Sequence, residues 1–88
     1  MSRFTFEKNN KLVAYGYDRP LSTYFIQVYD LSVEDKDEQL VEEYANNPMS
    51  LLTENGKRCS NSEILEKLIE LGCENKEHLN DVALDIDF

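Results

Sequence analysis

The run Tyr24-Phe25-Ile26-Gln27-Val28-Tyr29 constrains this chain more than any other stretch. Side chains alternate along a strand, so Tyr24, Ile26 and Val28 face one side and Phe25, Gln27 and Tyr29 the other. Both sides are largely apolar, which marks a central strand covered on each face. β-branched and aromatic residues fill it, as strand propensity favours. Asp18-Arg19-Pro20 ahead of it is a turn, because proline fixes φ and has no amide proton to give to a ladder. The stretch Tyr15 to Asp30 therefore reads as the spine of a small antiparallel sheet.

Two further strands precede it. Arg3 to Glu7 alternates, with Phe4 and Phe6 on one face, and Lys11 to Tyr17 follows. Asn9 and Asn10 separate the two, and asparagine tolerates the positive φ that hairpin turns need. Gly16 inside the second strand suggests a bulge or a close backbone approach. Three strands joined by short turns make a meander.

At Leu31 the composition changes to helix formers. Ser32 followed by Asp35 resembles a capping box, and Glu34, Asp35, Asp37 and Glu38 suit a helix N-terminus. Leu40, Val41 and Tyr44 supply an apolar face, and Asn46-Asn47-Pro48 predicts the stop. Ser60 with Glu63 is a fuller capping box. Behind it Ile64, Leu65, Leu68, Ile69 and Leu71 form a helical stripe that Gly72 ends. Asn75 caps a third helix to about Ala83. Leu84, Ile86 and Phe88 alternate with Asp85 and Asp87, so 84–88 reads as an extended acidic tail. The expectation is an α+β domain: a three-stranded antiparallel meander (residues 1–31), then two to three helices on one face (32–83), then the tail. The expected core is Phe4, Phe6, Leu12, Ala14, Tyr24, Ile26, Val28, Leu40, Val41, Tyr44, Ile64, Leu65, Leu68 and Ile69.

Eighty-eight residues make one domain with a modest core, which a partner or a second copy can supplement. A homodimer is thus one expected assembly. The net charge of −9 is unevenly spread. Residues 1–30 carry four basic and three acidic side chains, net +1, and residues 31–88 carry five and fifteen, net −10. Such a chain repels phosphate, which disfavours direct binding to nucleic acid or to an anionic membrane. A protein with a basic surface is the favoured partner. The N-terminal sequence has no apolar segment of the signal-peptide kind, and a cytoplasmic location with reduced thiols is expected.

Chemistry-bearing groups are sparse. His78, Cys59 and Cys73 are spaced by fourteen and then five residues, which fits no zinc pattern. Cys59 follows Lys57-Arg58 and precedes a helix N-terminus, a setting that lowers a thiol pKa. Cys73 reads as a small buried apolar residue. Asp35, Asp37, Glu38, Glu42 and Glu43 lack the loop spacing of a calcium site and read as a solvated face. No catalytic, cofactor-binding or metal-binding residue is assigned. Tyr15, Tyr17 and Tyr29 are expected on one sheet face beside Phe25, as core or as an aromatic contact surface. The partner-binding expectation joins these tyrosines to Asp35, Asp37, Glu38 and Glu42. The function so implied is that of a small accessory or regulatory protein acting by protein–protein binding. A nucleic-acid-mimicking inhibitor, or a small enzyme using Cys59 or a carboxylate pair, are the alternatives.

Overall fold

The computed structural model describes residues 3–18, 22–35, 39–47 and 56–84. Along them run β1 (Phe4–Lys8), β2 (Lys11–Asp18), β3 (Thr23–Asp30), β4 (Leu40–Ala45), β5 (Lys57–Arg58), α1 (Asn61–Leu71) and α2 (Lys76–Ala83). The strands form one sheet in the order β1-β2-β3-β4-β5. The first four pair antiparallel in succession, and β5 adds parallel to β4. The class is α+β, as strands followed by helices imply. No helix among the described residues is long and apolar enough to cross a membrane.

The β1–β2 hairpin turns on Asn9 and Asn10, with φ of 53° and 61°. A two-residue turn with both centres at positive φ matches the right-handed twist of its strands, and asparagine adopts that φ at small cost. The turn closes on Lys8 opposite Lys11, so Phe6 must lie opposite Val13 and Phe4 opposite Tyr15. Val13, Tyr15 and Tyr17 are in turn opposite Val28, Ile26 and Tyr24. These residues share the face that the helices cover. Leu12 and Ala14, expected on that face, lie on the other one, where Ala14 is buried and Leu12 half-buried. Gly16 produces no bulge: it keeps regular register opposite Phe25.

The largest departure from the sequence reading is at 40–45. The segment expected to end the first helix is β4, paired to β3. A helix starting at Ser32 does not form. Instead the Ser32 amide and hydroxyl both donate to Asp30 Oδ1, at 2.9 and 2.6 Å, closing a local turn. The physical reason lies in β3. It is apolar on both faces and so needs a neighbour at each edge, and a three-stranded meander would have left one edge bare. The i, i+1, i+4 spacing of Leu40, Val41 and Tyr44 also fits a strand with a bulge. Here Val28 pairs with Glu42 and Tyr29 with Leu40, so Val41 is skipped and remains exposed. The described residues of 32–83 thus include two strands as well as two helices.

The helices follow expectation. Ser60 Oγ accepts from the Glu63 amide and Glu63 Oε1 accepts from the Ser60 amide, a complete capping box. At the other end Gly72 (φ 98°) donates to the Ile69 carbonyl and Cys73 to the Leu68 carbonyl, a Schellman motif. The positive φ is what requires glycine there; a Cβ would also stand 2.5 Å from Lys8 Cδ, and that flexible side chain would have to move. Asn75 caps α2 through the His78 amide. The core between sheet and helices is Val13, Tyr15, Tyr24, Ile26, Val28, Tyr44, Ile64, Leu68, Cys73 and Val82. Of the expected core, Phe4 and Val41 are partly exposed and Ile69 more so, because the sheet meets only the Ile64–Leu68 stripe of α1. Leu84 caps α2, and 85–88 of the expected tail lie outside the described residues.

Candidate functional site

A cleft of about 460 Å³ opens beside β1, between that strand and the α1–α2 connection. Two sequence-encoded boundaries build its far wall. The Schellman turn places Cys73 immediately after α1, and the Asn75 cap fixes His78 in the first turn of α2. The near wall is Phe4 and Phe6, held over Tyr15 by the hairpin register, with ring centroids 5.8 and 6.0 Å from it. The His78 ring is 4.2 Å from Phe4 between centroids. Lys8 closes one end, with its ammonium 4.0 Å from the Glu74 carboxylate.

At the floor, the Tyr15 hydroxyl and His78 Nδ1 are 2.6 Å apart. Burial first, and then the neighbouring Cys73 thiol, push the Tyr15 pKa well above that of an ordinary phenol. The hydroxyl stays protonated, and it donates to Nδ1 when the imidazole carries its proton on Nε2. A phenol shifted upward is the opposite of what proton transfer near neutral pH needs. The floor is therefore suited to holding an apolar or aromatic group against a fixed polar pair.

The strand beneath the cleft has a second property. Among the described residues β2 is the only strand that pairs with β1, so its other side is an edge of the sheet. Phe4 is 36% exposed at the mouth. On the face away from the helices, Arg3 donates to Gln27 Oε1 at 2.9 Å and to the Tyr29 hydroxyl at 3.4 Å.

The residues singled out from sequence do not converge. Tyr15 is buried in the floor of the cleft, and Tyr17 is half-buried against Tyr24 on the same face. Tyr29 lies on the opposite face with Phe25, because it pairs with Leu12. Asp35 is exposed ahead of β4. Glu42 sits on β4, half-buried, where it accepts from the Tyr44 hydroxyl at 2.6 Å. Asp37 and Glu38 lie outside the described residues. Glu43, expected on a solvated face, is buried on β4, because 40–45 is a strand of the sheet and not an exposed helix. Glu63, Glu66 and Glu70 of α1 border a groove that also holds Lys57, Arg58 and Lys67.

Cys59 differs from its expectation. Burial, and then the Glu63 carboxylate, raise its pKa, outweighing Lys67 and Lys57. The capping box that was to make the helix terminus electropositive is what brings Glu63 there. Among the described residues no group of three or more His, Cys, Asp or Glu side chains could hold a metal ion. His78 and Phe4 line the cleft, whereas on sequence alone His78 is grouped only with the cysteines and Phe4 falls in the core. The available signal was the two-residue Asn9-Asn10 turn, which fixes Phe4 beside Tyr15. Nothing in the sequence brings His78 to them. Comparison with protein-family models, with curated proteins and with solved structures finds no match.

Proposed function

We propose that this chain is a small acidic accessory or regulatory protein that acts by binding another protein. The observation that carries the reading is the union of a sheet edge with an aromatic cleft in β1. An extended segment of a partner adds a strand along such an edge, and main-chain hydrogen bonds give it affinity. Alternate side chains of that segment point to the helix-covered side, where Phe4, Phe6, Tyr15 and His78 receive an apolar anchor. The net charge of −9 steers a basic partner toward the molecule and raises the association rate.

The test is affinity capture from native lysate with the wild-type chain and with Phe4→Asp, each eluted by rising salt. Phe4 is partly exposed, so the variant retains the fold, which circular dichroism verifies. A protein retained by the wild type and lost by Phe4→Asp supports the reading. Identical capture by both proteins overturns the cleft as the binding site.

A further inference from the structure

Two charges at the β1 edge, Arg3 just ahead of the strand and Glu7 within it, have no ion-pair partner among the described residues. Arg3 donates only to neutral acceptors, Gln27 and Tyr29, and Glu7 makes no ion pair among the described residues. Both lie on the face away from the helices, since Arg3 reaches Gln27 and Tyr29 there and Glu7 is opposite Leu12. They are four positions apart along the chain, about 13 Å at strand rise, and cannot meet within a single copy. A two-fold axis through Thr5 sets them opposite each other, and they meet once the Arg3 side chain turns from Gln27 and Tyr29 to the edge. Pairing β1 antiparallel with itself about that axis sets Arg3 opposite Glu7 of the second copy and Phe4 opposite Phe6 of the second copy, each twice. Thr5 meets its own symmetry mate.

We propose that the β1 edge is a homodimer interface with this register, which joins two copies into one continuous sheet. Three observations favour a second copy as the occupant. The first is charge complementarity: a two-fold normal to the sheet pairs residues of like face, so the neighbouring registers have their axes through Phe4 or Phe6, and these set Arg3 against Thr5 or Phe4 against Lys8. Only the Thr5 axis satisfies both charges and stacks phenyl on phenyl, the kind of cross-strand pair that stabilises sheets. The second is the match of faces. Arg3, Thr5 and Glu7 share the open side while Phe4 and Phe6 share the helix side, so each residue meets one of its own kind of surface. An incoming Phe6 covers the exposed part of Phe4 at the cleft mouth. The third is electrostatic. The paired residues 3–8 carry Arg3 and Lys8 against Glu7, net +1, so the contact itself adds no acidic repulsion to an acidic molecule. The interface is isologous, as a two-fold requires.

The inference stands on β1 alone and shares only its surface with the protein-binding reading. A partner strand has to displace the second copy, so dimerisation sets the concentration at which the edge becomes available. The test is sedimentation of the isolated full chain over a range of concentrations. The wild type should dimerise reversibly. Arg3→Glu and Glu7→Arg should each weaken association on the order of tenfold, since each replaces two ion pairs by two repulsions. The double variant Arg3→Glu/Glu7→Arg should recover most of the loss. Hydrogen exchange of the unmodified protein should show β1 amides gaining protection as concentration rises. A wild type that stays monomeric, single variants that associate normally, a double variant that fails to recover, or protection gained elsewhere would each overturn this interface. Because the measurement needs no partner, its failure is distinct from failure of the binding function.

Discussion

The two edges of the sheet are built in opposite ways. At one end β1 is five residues long, antiparallel, and carries two phenylalanines. At the other end β5 is two residues, Lys57 and Arg58, parallel to β4 and followed directly by the α1 cap. A short charged edge strand is one way in which proteins discourage edge-to-edge pairing. The β5 edge is also tethered by side chains. Asn46 Oδ1 accepts from the Tyr24 amide at 2.8 Å, and its Nδ2 donates to the Cys59 carbonyl at 3.0 Å and to Asn61 Oδ1 at 2.9 Å. One asparagine thus clamps β3, the end of β5 and the start of α1. The β1 edge is held by the hairpin turn, the Lys8–Glu74 contact and the Arg3 side chain, which reaches Gln27 and Tyr29 of β3. The difference teaches where to look for association: a closed edge that stabilises the fold, and an edge left to pair.

The comparison breaks most severely at Asn46. Asn46→Ala removes the side-chain hydrogen bonds with Thr23, Tyr24, Cys59 and Asn61 and leaves the Tyr24 amide and the Cys59 carbonyl without that partner. A loss of about 1–3 kcal/mol is expected, the cost of orphaned polar groups. Hydrogen exchange should show Lys57–Cys59 amides opening while β1 keeps its wild-type protection. Equal opening at both edges would mean that the clamp acts on the whole sheet.

A smaller effect is expected at Asn10. Its φ of 61° is costly for a residue that cannot bond locally. Asn10→Ala should cost roughly 1 kcal/mol in chemical denaturation, and Asn10→Gly should not. The alanine variant should also loosen β1 and leave β5 unchanged, the mirror of the Asn46 result.

The smallest effect belongs to the turn that feeds β4. Hydrogen bonds from the Ser32 hydroxyl and amide hold the Asp30 carboxyl below its ordinary value. The folded pKa is thus lower than the unfolded one. The contribution is complete above the unfolded pKa, about 4, and is lost as pH falls through the folded value. Thermal midpoints of the wild type and Asp30→Asn should therefore differ most near neutral pH and converge in acid. A gap that widens in acid would contradict the sign.

Much of this fold was legible locally. Asn9-Asn10 announces a tight hairpin, Ser60 with Glu63 and Gly72 bracket α1, and Asn75 starts α2, because caps and turns are decided by a few neighbouring residues. The candidate site was legible only in part. Tyr15 stood out from the sequence, but as part of a surface with Tyr17 and Tyr29; Tyr17 does share its face, while strand register puts Tyr29 on the other.

The sequence by itself determined the α+β class, the boundaries of α1 and α2, and the need of β3 for cover on both sides. These rest on alternation, capping and backbone preference, which act within a few residues. Tertiary structure alone decided that 40–45 is a strand, since its helical spacing was outweighed by the pairing edge that β3 offered. It also decided that His78 meets Tyr15 across 63 positions of chain. A contact of that kind follows from how α2 packs on the sheet, and no local preference encodes it.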